Sequence, residues 1–339
     1  MKAYVLGRPE NGRASWKLTS LPDPAPLPGE VLVRVRAASI NYRDLMVARG
    51  LYGGTPRADL VPLSDGAGEI VALGQGANRF RVGQRVVGAY YPTWLAGPPH
   101  SSHGQHMKGA GNVGGVLAEY VTFPETGVAP APSHLSFEAA STLPCAAVTA
   151  YNALFVIGPR LDLGATVLVL GTGGVSVMAA QFALAAGLRP MATSSSAKKL
   201  ERLRSLGVTD VIDYRHTPEW HNEVLRLTDG EGADHIVDVG GAGTLPRSFQ
   251  AVKMGGTISL IGILAGATRI DPLPILYRRI RVQGLSVGSV AVLEAMNRSI
   301  EATGFEPAID EVFPFTRAPE ALLKLEDGAH FGKLVVRID

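Results

Sequence analysis

At 339 residues the chain exceeds what one ordinary hydrophobic core organises, so its length predicts two domains. Apolar residues make up 46% and charged residues 18%, with a net charge of +2, which excludes a disordered tail and a nucleic-acid binder with a concentrated basic face. A single cysteine, Cys145, excludes an internal disulfide and any zinc site built from several thiolates.

The opening MKAYVLGRPE holds no apolar signal-peptide core, so a cytoplasmic location is expected. DPAPLPGE (23–30) is a proline-rich loop. VLVRVRAASI (31–40) alternates apolar with basic residues, the pattern of a half-buried strand. GAGEIVALGQG (66–76) and RFRVGQRVVGAY (79–90) read as further strands joined by glycine turns, so the first third is expected to be mostly antiparallel β. In HSSHGQHMKG, His100, His103 and His106 recur every three residues. A helix there would gather them on a metal, but Gly104 and the flanking PP and KGAGN predict a flexible, solvated loop.

From about residue 135 the character changes. Ser136 followed by Glu138 and an apolar run predicts a helix start. Then come VLVL, a helix at 175–186, PMATS, a helix at 197–206, DVID, a helix near 219–228, HIVDVG, a helix near 244–252, GTISLIG and IRVQGLSVG. Apolar strands alternating with helices call for an α/β fold with a doubly wound parallel sheet covered on both faces. FGKLVVRID is a last strand that returns to the first domain. Two uncharged stretches, 139–159 and 164–188, are long enough to cross a membrane. Pro144 breaks the first and five glycines weaken the second, and neither has aromatic and basic anchors at membrane spacing, so both are read as buried segments.

TVLVLGTGGVSVMAAQFALAAG (166–187) is a strand, a tight turn and a helix of small residues. Glycines at such a turn let the backbone approach a pyrophosphate seated on free N–H groups at the helix N-terminus. The loop residues are Gly171, Thr172, Gly173, Gly174, Val175 and Ser176, the last standing where the dinucleotide fingerprint has its final glycine. No GK[ST] follows, so this is not a triphosphate loop. A purely structural turn has the same pattern. About 20 residues on, an NAD site would place an acid on the ribose. Here stand Ser194, Ser195 and Ser196, then Lys198 and Lys199, a set that favours the 2′-phosphate of NADP(H) over NAD(H). The missing acid also argues against an adenosylmethionine methyltransferase.

The stretches VLVRVRAASINYRD, PLSDGAGEIVALG, RFRVGQRVV, LPCAAVTAYNAL, VLVLGTGGVS, DYR and HFGKLVV, taken in this order over nearly the whole chain, resemble the medium-chain dehydrogenase/reductase superfamily, close to its quinone oxidoreductase-like members. That resemblance implies a GroES-like β-rich catalytic domain from both termini (1–134 and 289–339), a Rossmann domain (135–288) inserted in it, the cofactor in the cleft between them, and a homodimer through edge strands. Zinc-dependent members carry Cys-His-x-Asp where this chain has Asn41-Tyr42-Arg43-Asp44, and Gly-His-Glu where it has Leu63-Ser64-Asp65. Their third ligand falls at Cys145. An amide, a hydroxyl and one thiol make a poor zinc site, so no catalytic metal is expected.

Without zinc, the expected reaction is hydride transfer to a small-molecule quinone or enone, whose developing oxyanion needs donors and a proton. The candidate donors are the Asn41 amide and the hydroxyls of Tyr42 and Tyr52. Tyr52 reads equally as a packing aromatic, and Asp65 either bonds backbone or meets substrate. The resemblance further implies that Asp44 orients the cofactor-side network and that Thr149, Ile261-Gly262-Ile263 and Val287-Gly288 surround the nicotinamide. Gly240 is counted with the cofactor set, Tyr214 lies against the adenosine and Lys333 near the pyrophosphate. Two other readings stay open: an alcohol dehydrogenase of the same fold, and a non-catalytic nucleotide binder related to the lens crystallins.

Overall fold

A computed structural model describes residues 1–8, 12–57, 59–262, 264 and 269–339. The first stretch of chain folds as β1 (Lys2–Leu6), β2 (Trp16–Ser20), β3 (Glu30–Ile40), α1 (Tyr42–Ala48), β4 (Asp65–Leu73), β5 (Arg85–Gly88), β6 (Tyr120–Pro124), β7 (Val128–Pro130) and α2 (Phe137–Ser141). A π-helical turn, Leu143–Ala147, leads into α3 (Val148–Phe155). Then follow β8 (Thr166–Leu170), α4 (Gly174–Ala185), β9 (Arg189–Ser194), α5 (Ala197–Ser205), β10 (Asp210–Asp213), α6 (Trp220–Leu227), β11 (Ala233–Asp238), α7 (Leu245–Ala251), β12 (Val252–Leu260), α8 (Leu273–Tyr277) and β13 (Arg281–Gly284). The chain ends with α9 (Val290–Thr303), β14 (Ile309–Pro314), α10 (Ala318–Glu326) and β15 (Lys333–Arg337).

Two units result, one of Met1–Val148 with Val287–Asp339, the other of Thr149–Ser286. In the first, a mixed sheet runs β14-β15-β3-β4-β5-β7, with β6 added on β3 and a separate β1-β2 ribbon. The long β3 organises it. Val31, Val33 and Val35 face the core while Arg34 and Arg36 lie half-buried on the other face, as strand alternation requires. β15, from the far end of the chain, pairs antiparallel with β3, and Leu334 lies opposite Ile40. This is the GroES-like arrangement expected for the first third, and FGKLVVRID does return to it.

The second unit is a wholly parallel sheet in the order β10-β9-β8-β11-β12-β13, with helices between successive strands. Every residue of β8 is buried, which explains its unbroken apolar sequence. No helix among the described residues is long and apolar enough to cross a membrane; 164–188 is instead β8, the turn and α4.

Three boundaries differ from the sequence reading. Residues 135–148 belong with the β-rich unit, because α2 lies on β3 and β4 and Ser39 Oγ donates to the Ser141 carbonyl at 2.9 Å. Val287 and Gly288 belong to that unit too. The strand read at 79–90 shortens to Arg85–Gly88, since residues 80–84 form a turn.

Candidate active site

The glycine turn lies at the C-terminal end of β8. Gly171 adopts φ +79°, a conformation that side-chain-bearing residues rarely take, and its N–H donates to Thr193 Oγ1 at 3.2 Å. A Cβ placed on Gly171 or Gly173 would meet no atom within 4 Å, so both face open space, as a backbone that cradles a ligand must. Gly173 is the N-cap of α4, and the N–H groups of Gly174, Val175 and Ser176 open that helix without intrahelical acceptors. The set fits a nucleotide pyrophosphate. Thr172 is buried beside it. Ser176 is fully buried and its Oγ donates to the Leu170 carbonyl at 2.7 Å, so it holds helix against strand, the packing role of the fingerprint's last glycine.

At the end of β9, Ser194 is buried and its carbonyl accepts from the Tyr214 N–H at 3.0 Å. Ser195 is half-buried, Lys198 is exposed in the first turn of α5, and the Tyr214 side chain is 41% exposed. Ser196 caps α5 by accepting from the Lys199 N–H. Gly240, expected in the cofactor set, lies just after β11. Its N–H donates to Asp238 Oδ1 at 2.9 Å, and the same buried carboxylate also accepts from the Gly241 N–H, Thr244 Oγ1 and Ser248 Oγ. Gly240 therefore belongs to a turn clamped by Asp238, a residue the sequence reading did not single out. Ile261 and Gly262 both donate to the Asp238 carbonyl, and a Cβ on Gly262 would lie 1.9 Å from the Val239 oxygen, so only glycine fits. Ile263 lies outside the described residues. Thr149 is buried at the start of the second unit, and Val287, at φ +57°, takes a conformation that β-branched residues avoid.

The first unit contains a buried ionic pocket. Asn41 precedes α1, and its N–H donates to Asp44 Oδ2 at 2.8 Å, which fixes the start of that helix. Asp44 Oδ1 accepts from Arg43 Nη1 at 2.9 Å; that guanidinium also donates to the Lys108 and Gly109 carbonyls. Leu63, at φ +71°, turns the chain so that Ser64 and Asp65 point inward, both fully buried. Asp65 Oδ1 accepts from Ser64 Oγ at 2.6 Å and Oδ2 from the Cys145 N–H at 3.0 Å, within the π-helical turn. Lys333 completes the group. It is 1% exposed, and its Nζ donates to the Ile40 carbonyl at 2.7 Å and to Asn41 Oδ1.

Burial pushes Asp65 and Asp44 above their ordinary pKa values, while Lys333 and Arg43 draw them back. Burial lowers the Lys333 ammonium, and Asp65, Cys145 and Asp44 raise it. Both Asp65 oxygens accept from donors and Lys333 donates to two acceptors, which favours the charged pair. Two cations, Arg43 and Lys333, thus balance Asp44 and Asp65. This corrects the placement of Lys333 near a pyrophosphate: its ammonium is enclosed here, with no open face for a phosphate.

Zinc does not fit this donor set. The Asn41 oxygen is held by Lys333 and the Ser64 hydroxyl by Asp65. Burial and the Asp65 charge push the Cys145 thiol up, away from the thiolate that zinc binds. Among the described residues no group of three His, Cys, Asp or Glu is placed to hold a metal. His100, His103 and His106 lie on an exposed 3₁₀ turn, Ser101–His106, rather than the flexible loop expected; Trp94 stacks on His103 at 5.5 Å and His100 Nδ1 pairs with Ser102 Oγ at 2.8 Å.

Of the expected donors, Asn41 is the one brought into the pocket with capacity left. Its Nδ2 is buried and close enough to Asp65 to lower that carboxyl, yet it makes no hydrogen bond of normal geometry to any described residue. Tyr42 is 42% exposed on α1. Tyr52 OH lies 3.2 Å from Tyr90 OH, which donates to Met107 Sδ, so the Tyr52 proton is engaged by Tyr90. Arg43 lies over both rings, 5.4 and 5.1 Å from their centroids. Sequence reasoning gave Arg43 no role, because an arginine on a short helix reads as solvated.

Comparison with known proteins places both units. Residues 27–133 match the alcohol dehydrogenase GroES-like domain family, and residues 174–302 match the zinc-binding dehydrogenase family. A zinc-type alcohol dehydrogenase-like protein of Schizosaccharomyces pombe is 43% identical over 92% of each chain. A solved structure from Sinorhizobium meliloti 1021, titled as an alcohol dehydrogenase, is 38% identical with a TM-score of 0.91 over 99% of each chain. Another, titled NAD-dependent alcohol dehydrogenase, is 33% identical with a TM-score of 0.89 over the full length of both.

Proposed function

We propose that this chain, which belongs to the medium-chain dehydrogenase/reductase superfamily of nicotinamide-dependent oxidoreductases, transfers hydride from NADPH to a quinone or an α,β-unsaturated carbonyl without a metal. The observation that carries this reading is the Asn41 amide, a buried donor whose Nδ2 is left without a partner among the described residues while a buried lysine holds its oxygen.

A bound nicotinamide nucleotide supplies the hydride. What the chain supplies is charge stabilisation. As hydride adds to the conjugated carbon, the π electrons move to the carbonyl oxygen, and Asn41 Nδ2 donates to that oxygen. An alkoxide of an unactivated alcohol has a far higher pKa, so an amide donor suits an acceptor whose charge is delocalised. The final proton comes from solvent, because Asp65 accepts two hydrogen bonds and is held as the carboxylate. For the nucleotide, the absence of an acid at the end of β9 and the presence of Ser195 and Lys198 support NADPH.

The names of the relatives favour a second reading, oxidation of an alcohol. The two separate in one assay. Chelator-treated protein is given NADPH or NADH with a panel of quinones and enones, and in parallel NADP⁺ or NAD⁺ with alcohols and added zinc. NADPH-linked turnover that survives the chelator is the expected result. Alcohol oxidation that appears only with zinc would overturn the proposal, and preference for NADH would overturn its nucleotide half.

A further inference from the structure

Burying an ammonium is unfavourable unless charged and hydrogen-bonded partners offset the lost hydration. Lys333 is enclosed by the Ile40 carbonyl, the Asn41 amide oxygen and the field of Asp65 and Asp44. An amide side chain has two nearly equivalent orientations, one presenting oxygen and the other nitrogen. An ammonium only donates, so Asn41 must turn Oδ1 toward Lys333. Nδ2 is then presented on the opposite side, buried beside Asp65 and without a hydrogen bond of normal geometry to any described residue. The same contact polarises the amide and strengthens its N–H as a donor.

We propose that Lys333 is the positioning residue of the pocket: it locks the Asn41 amide with Nδ2 toward the acceptor oxygen, and it supplies from within the chain the positive charge that zinc-using dehydrogenases take from a metal. A divalent cation arriving here would meet Lys333 and Arg43 and find Asn41 and Ser64 already bonded. The kinetic part of this inference rests on the reductase reading; the electrostatic part does not.

Lys333→Met keeps the length and apolar stem of the side chain and removes its charge, and Lys333→Gln keeps a donor without charge. Three measurements are made on each variant and on the unmodified protein: NADPH affinity by fluorescence titration, steady-state kinetics with the best acceptor, and zinc affinity by calorimetry. For Lys333→Met the expected result is NADPH affinity within about twofold and kcat lowered about 30- to 100-fold with acceptor KM little changed, a loss somewhat below that of an outright donor deletion. Zinc binding tightens by about tenfold or more as the pocket's charge balance is lost. Lys333→Gln falls between the two in kcat, and adding Asn41→Ala to Lys333→Met costs little more, since both act through one amide.

A kcat within threefold of the unmodified protein overturns the proposal. So does a loss confined to NADPH affinity, which would return Lys333 to the cofactor phosphates. If the unmodified protein reduces no acceptor, the reductase reading fails on its own account. The zinc titration then decides whether Lys333 is the cation of the pocket: unchanged zinc affinity in Lys333→Met overturns that, and tightened affinity sustains it. Should Lys333→Met fail to fold, Lys333→Gln carries the same tests.

Discussion

His235 offers a stability test independent of activity. It lies on β11 with no exposure, its Nε2 is 2.9 Å from Ser259 Oγ and its Nδ1 has no partner among the described residues. Burial lowers its pKa from 6.5 to about 4. A histidine with a depressed folded-state value takes up a proton earlier in the unfolded chain. Its contribution is therefore fully present above pH 6.5 and is lost as the pH falls toward 4. Across that window the loss is worth about 3 kcal/mol, a substantial share of a typical domain's net stability. His235→Gln keeps a partner for Ser259 and removes the titration. The variant is expected to be about 1 kcal/mol less stable at pH 7 through poorer packing, and the two stability curves to cross between about pH 5 and 6. Urea unfolding at successive pH values reads this, followed on Trp220, a buried reporter in the same unit, with Trp16 and Trp94 replaced by Phe. Parallel curves from pH 7 to 4 would refute the reasoning, because they would mean that His235 is protonated in the folded state as easily as in the unfolded one.

Lys108 behaves in a related way at the alkaline side: nearly buried, over the Phe123 ring and donating to the Thr122 carbonyl at 3.0 Å, it is lowered by burial to about 8. Its depressed value withholds stability below pH 8 that returns as the pH rises toward 10.5, so Lys108→Met should stabilise the protein at pH 7 by about 1–3 kcal/mol once the lost contacts are counted, read as a higher melting temperature, with the gain vanishing by pH 10.5; a loss at pH 7 would refute this. Asp238→Asn places a donor among four donors in a buried turn, and is expected to cost about 3 kcal/mol in a urea titration and to weaken NADPH binding, whereas an unchanged midpoint would show that the clamp is dispensable.

The second unit was readable because its signals are local. Strand, turn and helix follow one another, and the glycines at 171 and 173 announce their backbone by residue type alone. The unusual residues at Asn41 and Ser64 were readable for the same reason, since each is identified by its type at one position. What the sequence hid is long-range. Lys333 was expected near a pyrophosphate, and only the register that sets Leu334 opposite Ile40 brings it to Asn41. Residues 135–148 were read into the nucleotide unit because helix character begins there, although what assigns them is packing on β3 and β4. Helices α1, α9 and α10 carry no clear local signal, since their faces are completed by elements distant in sequence, α1 and α10 by each other and α9 by β7. Tyr52 reads as a choice between substrate and packing; its partner Tyr90, 38 residues away, engages its hydroxyl.

The place of β15 in the chain has a consequence for synthesis. Thr149–Ser286 is continuous and is translated before the residues that complete the other unit. The glycine cradle is therefore finished while β3, which already has β4 and β6 to pair with, still lacks β15, and Asn41, Asp44 and Asp65 must wait for an ammonium that emerges nearly three hundred residues after Ile40. Until then two buried acids have one cation between them, Arg43. A chain stalled before its last strand would therefore hold the glycine turn complete while the pocket of Asp44 and Asp65 still lacks one of its two cations.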